Sequence, residues 1–197
     1  MAEMILTLAS ASERRKRILA ECGIRFKVFP SGVDEENGRG GDITRAVVRN
    51  ARLKAEHVSG HLGRGVVLGA DTLVLFEGEA IGKPADLSAA EELFESFSGK
   101  ELKVFTGLYV IDSDAGKKAS GWDETDVAVR RIEKNERRLY LRHLGPFDKA
   151  GGFSIEGPGS IVFDNIRGSY YNVLGLPMGR LSDVLREAGL NIFSFMD

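Results

Sequence analysis

Asp71 stands inside Val66-Val67-Leu68-Gly69-Ala70-Asp71-Thr72-Leu73-Val74, the most hydrophobic run of the chain. A carboxylate there must be paired, hydrogen-bonded or metal-bound to keep its charge, and an unpartnered one would be unfavourable by on the order of several kcal/mol. Asp71 is therefore the first candidate for a base or a metal ligand; the plainer alternative is a structural Asp bonded to loop N–H groups. A second group is Ser10-Ala11-Ser12-Glu13-Arg14-Arg15-Lys16-Arg17, which follows Ile5-Leu6-Thr7-Leu8 and opens a helical pattern. The first turn of a helix carries unpaired N–H groups and partial positive charge, so it disfavours Arg. Ser10, Ser12, Arg14 and Arg15 placed there suit the oxygens of a phosphate or polyphosphate; the alternative is a Ser12 N-cap with solvated arginines. Lys83 lies between Gly82 and Pro84, and the proline holds the preceding backbone extended, which suits a positioned phosphate-binding ammonium. Lys54 falls on the apolar stripe of a helix and needs an anionic partner unless it snorkels to the surface. Asp34, Glu35 and Glu36 are hard oxygen donors suited to Mg²⁺, which takes one or two carboxylates plus substrate phosphates; otherwise they form a solvated acidic loop. No Ser/His/Asp or Cys/His arrangement is evident. Taken together, these groups describe metal-assisted attack of water on a polyphosphate.

The elements that must position them follow from periodicity and breakers. Ile5–Leu8 reads as a strand, Glu13–Glu21 as a helix stopped by Gly23, and Phe26–Phe29 as a second strand. A polar loop covers Asp34 to Gly41. From Ile43 to Val58, Val47, Asn50, Ala51, Lys54 and Val58 share one helical face. Val66–Phe76 is a central strand buried on both faces, with Glu77-Gly78-Glu79 as a hairpin turn. Ser88 and Glu91 form a capping box for a helix through Phe97, which Gly99 ends. Val104–Ile111 and Ser120–Arg131 make an antiparallel pair across Asp114-Ala115-Gly116. A helix at Glu136–His143, a glycine-rich loop from Pro146 to Gly152, a strand at Ser160–Ile166 and a helix at Met178–Glu187 complete the chain. Alternating strands and helices indicate an α/β fold.

With 197 residues and 43% hydrophobic composition, one good core is expected, in a single domain over residues 1–197. The formal charge of −2 argues against a nucleic-acid-coating surface, so any phosphate recognition has to be local. Cys22 is the only cysteine, which excludes an intrachain disulfide and fits a reducing, cytoplasmic compartment, and its helical spacing with Ile18 and Leu19 reads as a buried core thiol. No run approaches the roughly eighteen apolar residues of a membrane span, and the chain reads as soluble and unprocessed.

The same residues, in order, resemble the Maf family of nucleoside triphosphate pyrophosphatases, first described as septum-formation inhibitors. The resemblance runs from about Ile5 to Leu185. It is carried by Leu8-Ala9-Ser10-Ala11-Ser12-Glu13-Arg14-Arg15, Val33-Asp34-Glu35, Ala51-Arg52-Leu53-Lys54-Ala55, Gly69-Ala70-Asp71-Thr72, Gly82-Lys83-Pro84, Ser98-Gly99, Thr106-Gly107, Asp148-Lys149-Ala150-Gly151 and Asn172-Val173-Leu174-Gly175-Leu176-Pro177. It implies an α/β fold of the Maf and ITPase-like kind, with a central twisted mixed sheet flanked by helices and two lobes around a substrate cleft. It further implies hydrolysis of a non-adenine nucleoside triphosphate to monophosphate and pyrophosphate, a house-cleaning activity dependent on Mg²⁺ or a similar divalent cation such as Mn²⁺ or Co²⁺. By position, Asp71 resembles the general base and Glu35 the metal or water partner, with Glu35 and Asp71 holding the metal. Lys54 and Lys83 resemble phosphate-holding lysines, and Ser10, Ser12, Arg14, Arg15 and Lys149 substrate-binding residues. A homodimer is also implied, while the chain's charge and hydropathy give no reason to expect a membrane or a stable nucleic-acid partner.

Two departures qualify the resemblance. Where many members that prefer dTTP and UTP read Gly-Ile-Gln-Gly, this chain has Ser154-Ile155-Glu156-Gly157, and a carboxylate accepts hydrogen bonds where an amide also donates. Glu156 at this base-reading place resembles the branch that favours 7-methyl-GTP, whereas the helix start and Asp148-Lys149-Ala150-Gly151 lean towards pyrimidines. Leu102 replaces a histidine frequent in the family. The rival of another class is a non-catalytic nucleotide-binding regulator of cell division.

Overall fold

The computed structural model describes residues 4–38, 41–143 and 154–196. Strand β1 (Leu6–Leu8) feeds helix α1 (Glu13–Glu21), whose N-cap is Ser12 and beyond whose end Gly23 adopts φ +68°. β2 (Phe26–Val28) follows, then a non-regular segment leading to α2 (Ile43–Leu62), capped by Asp42, whose carboxylate accepts from the Thr44 and Arg45 N–H groups. β3 (Val66–Phe76) turns through Glu77-Gly78 into β4 (Glu79–Ile81). Helix α3 (Leu87–Phe97) leads to the long hairpin of β5 (Glu101–Asp112) and β6 (Lys117–Val129). Helix α4 (Lys134–His143), β7 (Phe163–Arg167), the short α5 (Tyr170–Val173) and α6 (Met178–Glu187) complete the named elements.

The strands form one mixed sheet of order β2-β1-β3-β5-β6-β7, with β4 also paired to β3. β1 is parallel to both β2 and β3, and the other pairings are antiparallel. β5 lies along β3 from Val66 to Leu75, but on the opposite edge β1 covers only Val66 to Leu68 and β4 only Val74 to Phe76. The edge between them, from Gly69 to Leu73, is uncovered by strands, and Asp71 lies at its centre. Ligands in open α/β sheets bind where strand order leaves such a crevice.

Helix α2 lies directly on this part of the sheet. A Cβ on Gly69 would stand 2.0 Å from the Ala51 carbonyl oxygen, and one on Gly107 would stand 2.3 Å from the Val47 carbonyl carbon. Only glycine allows a helix backbone so near the strands. Side chains alternate faces along a strand, so Gly69 and Asp71 face α2, while Ala70 and Thr72 face the other layer. That layer holds the main core, where α1, α3 and α6 contribute Ile18, Phe94 and Leu181 and the sheet contributes Leu8, Leu68 and Leu108. Leu102 is also fully buried there.

The α/β expectation, with a central mixed sheet, holds, and α1, β3 and α6 begin and end where periodicity puts them. Three local readings change. Helix α3 starts at Leu87 because Asp86, rather than Ser88, accepts from the Ala89 N–H at 2.9 Å. Residues Gly157–Ile161 form a 3₁₀ turn around Pro158, so the strand expected from Ser160 begins only at Phe163. Cys22 is half-buried at the end of α1 and packs beside the core rather than within it.

Candidate active site

A cleft of about 720 Å³ opens along the uncovered edge of β3. The start of α1 supplies Ser10, Ser12, Arg14 and Arg15 to its lining, the loop after β2 supplies Glu35, and α2 supplies Lys54. β3 contributes Asp71 and Thr72, the segment after β4 contributes Lys83, and the end of α5 and the residues after it contribute Val173 to Gly175. Eight of the ten residues singled out from sequence thus converge on one cavity.

Asp71 is 3% exposed and Lys54 5%. Lys54 Nζ donates to Asp71 Oδ1 at 2.8 Å and to the Ala70 carbonyl at 3.2 Å, and it lies 2.9 Å from Glu35 Oε1. All three ammonium protons therefore have protein acceptors, and Lys54 bridges the two carboxylates rather than projecting free into the cleft. Asp71 Oδ2 accepts from Asn50 Nδ2 at 2.8 Å. A buried carboxylate held by a cation and an amide is a satisfied one, which answers the burial problem that its sequence context posed.

Arg15, besides lining the cleft, is bound into the scaffold. Its guanidinium is buried, donating from Nε to the Gly175 carbonyl at 2.8 Å, from Nη1 to Ser10 Oγ at 3.1 Å and from Nη2 to Thr72 Oγ1 at 2.9 Å. Burial lowers its pKa from the ordinary value, while the charges of Asp71 and Glu35 oppose the shift; it stays cationic at neutral pH. Arg15 ties the helix start to the sheet and to the segment after α5 through three of its five N–H groups, while the residue also lines the cleft. Thr72 continues the chain, 3.0 Å from Thr106 Oγ1, which donates to the Asn172 carbonyl at 3.2 Å.

Lys83 is exposed in the cleft and has no ion-pair partner among the described residues. Arg14, partly exposed, lines the same cleft. The first-turn N–H groups of α1 add partial positive charge at the helix start. The cleft lining thus combines cationic groups with the Glu35 and Asp71 carboxylates.

Glu156 does not line the cleft. Its carboxylate pairs with the Arg17 guanidinium on the outer side of α1, and that hydrogen bond first, with the attending charge, raises the Arg17 pKa. Lys149, with Asp148, Ala150 and Gly151, lies outside the described residues. Sequence reasoning left Asn50 and Thr72 without roles at the site. For Asn50 the signal was present, an amide on an otherwise apolar helical face four residues before Lys54. Thr72 could be found only through the alternation that turns it away from Asp71 towards Thr106, its register partner on β5.

Residues 5–188 match the family described as Maf-like protein. A dTTP/UTP pyrophosphatase of Methanococcoides burtonii is 37% identical over 189 residues, covering 95% of this chain and 97% of the relative. One from Methanosarcina barkeri is 38% identical over 189 residues, covering 95% and 96%. Another, from Clostridioides difficile, is 36% identical over 191 residues, covering 96% and 98%.

Proposed function

The chain belongs to the Maf-like protein family, and on that premise we propose that it is a nucleoside triphosphate pyrophosphatase, acting on dTTP, UTP and modified pyrimidine nucleotides in a house-cleaning role. One observation carries the reading: a buried Asp71 carboxylate with a protein donor on each oxygen lines the same cleft as Lys83, which has no ion-pair partner among the described residues, and the cationic start of α1. A binding module for nucleotides needs the cationic groups, but it has no use for two carboxylates held beside them.

In this reading the triphosphate lies with its oxygens toward Lys83, Arg14 and the N–H groups of α1. Each Asp71 oxygen has one protein donor and retains a lone pair for a water in the cleft. That water attacks at the α–β anhydride, Asp71 receives its proton, and pyrophosphate leaves as the anhydride bond breaks. Asn50 and Lys54 fix the carboxylate that does this.

The donor set fits a hard divalent cation held jointly with substrate. Glu35 and Asp71 offer two carboxylates at the cleft, and among the described residues no group of three His, Cys, Asp or Glu side chains could hold an ion unaided. Mg²⁺, or Mn²⁺ or Co²⁺ in its stead, would be held by Glu35 and Asp71 and would lower the pKa of its water and neutralise phosphate charge. Among the described residues no helix is long and apolar enough to cross a membrane. From the family likeness we propose a cytoplasmic homodimer.

The test is a panel of common and modified nucleoside triphosphates, 7-methyl-GTP included, each with and without Mg²⁺ or Mn²⁺. The expected result is metal-dependent release of pyrophosphate and monophosphate in equal amounts, fastest from dTTP and UTP. A preference for 7-methyl-GTP would move the base assignment, and no release by folded protein would favour the binding regulator.

A further inference from the structure

Asn50 is fully buried in the middle of α2, a position where Asn is a poor helix former and an aliphatic side chain would serve packing equally well. Its amide is used nearly to capacity. Oδ1 accepts from the Glu36 N–H at 2.9 Å, while Nδ2 donates to the Glu36 carbonyl at 2.8 Å and to Asp71 Oδ2 at 2.8 Å. The side chain thus imitates a strand partner for one peptide of the acidic loop, and with its remaining proton it grips the carboxylate at the centre of the cleft. One turn along, Lys54 makes the matching bridge between Asp71 Oδ1 and Glu35 Oε1.

We propose that Asn50 is a positioning residue that couples the acidic loop to Asp71, so that Glu35 and Asp71 face the cleft as one preorganised pair. Lys54 is the ionic link between the two side chains, but the Glu35 carboxylate is half-exposed and a salt link of that kind is weakened by solvent. Asn50 supplies the buried, directional link through the neighbouring peptide. Among the described residues the other hold on Glu36 is its 3.1 Å pairing with Arg49, which is exposed on both sides and contributes little. Asn50 acts through Asp71 and Glu35 without facing substrate, so its removal should impair turnover more than nucleotide binding, which rests on Lys83, Arg14 and the α1 start.

The inference rests on the pyrophosphatase reading for its kinetic consequence but not for its structural one, and the experiment separates the two. Asn50→Leu removes all three hydrogen bonds at similar volume, and Asn50→Ala does so without demands of shape, should the leucine variant fold poorly. Amide hydrogen exchange on nucleotide-free protein is expected to show the Glu36 N–H exchanging at least about tenfold faster in either variant, with α2 protected as before. Turnover of dTTP is expected to fall at least about tenfold in kcat with KM changed less than about threefold. Arg49→Ala should leave both within about twofold. Unchanged exchange at Glu36, or a loss that appears wholly in KM, would overturn the proposal. Wild-type protein inert towards every nucleoside triphosphate would refute the pyrophosphatase reading alone, and the exchange result would still decide the coupling.

Discussion

Arg15 shows how a residue singled out for a phosphate site also holds the fold. Three side-chain donors satisfy Gly175, Ser10 and Thr72, which belong to three separate stretches of chain. An ammonium cannot reproduce that planar fork. Arg15→Lys is therefore expected to destabilise the fold by about 2–4 kcal/mol, read by denaturant unfolding, since buried acceptors lose their partners. A variant as stable as wild type would show that these three hydrogen bonds do not hold the fold. At this scale the sequence was informative where a residue conflicts with its own neighbourhood. Asp71 in an apolar strand and Lys54 on an apolar helical face both announce an unseen partner. It was uninformative where the partner is distant: Arg15 meets Gly175, and Glu156 meets Arg17, through contacts 160 and 139 residues apart. Nothing local to Glu156 indicates that it turns to the outer side of α1.

The site exists because one helix lies close on the sheet. At Gly69 and Gly107 no side chain separates α2 from the strands, which brings Asn50 and Lys54 within hydrogen-bond reach of Asp71. Gly107→Ala must lift α2, because its Cβ would meet the Val47 backbone and not a movable side-chain end. The expected outcome is a loss of about 3 kcal/mol or more in unfolding free energy, together with a fall in kcat, because Lys54 and Asn50 move with the helix. Wild-type stability would show that α2 is not seated on the sheet as described. Periodicity made α1, α2, β3 and α6 readable, since long amphipathic or apolar runs leave little choice. The 3₁₀ turn at Gly157–Ile161 and the four-residue α5 were not readable, because such short pieces have no period and are held by tertiary contacts such as Asn172 Nδ2 with the Val104 carbonyl and Thr125. The Asp86 cap was missed because a nearby Ser and Glu imitate the same signal.

Over the whole molecule, one sheet carries both the core and the cleft, and stability and activity are linked through it. Buried titratable groups then set the alkaline limit. Burial raises the Tyr140 hydroxyl well above its ordinary value, and Cys22 is shifted the same way, by burial first and Glu21 second. Below pH about 10 Tyr140 is protonated whether folded or unfolded, so it adds no pH dependence; above that the unfolded chain ionises first and stability falls. The Tyr140 hydroxyl has no hydrogen-bond partner among the described residues, so Tyr140→Phe is expected to be neutral or stabilising at pH 7, within about 1 kcal/mol. It should also flatten the decline of melting temperature between pH about 10 and 12. A variant with the same alkaline slope as wild type would remove Tyr140 from this account.

In the proposed reaction Asp71 serves a cleft that hydrolyses nucleoside triphosphates between the α and β phosphates. The most direct measurement is the rate of pyrophosphate release from dTTP with Mg²⁺ by wild-type protein and by Asp71→Asn, each shown to be folded by thermal unfolding. Equal yields of pyrophosphate and monophosphate from wild type, and a rate lower by about a hundredfold or more in the variant, are expected from loss of a positioned base. A folded Asp71→Asn protein that releases pyrophosphate at the wild-type rate would contradict it.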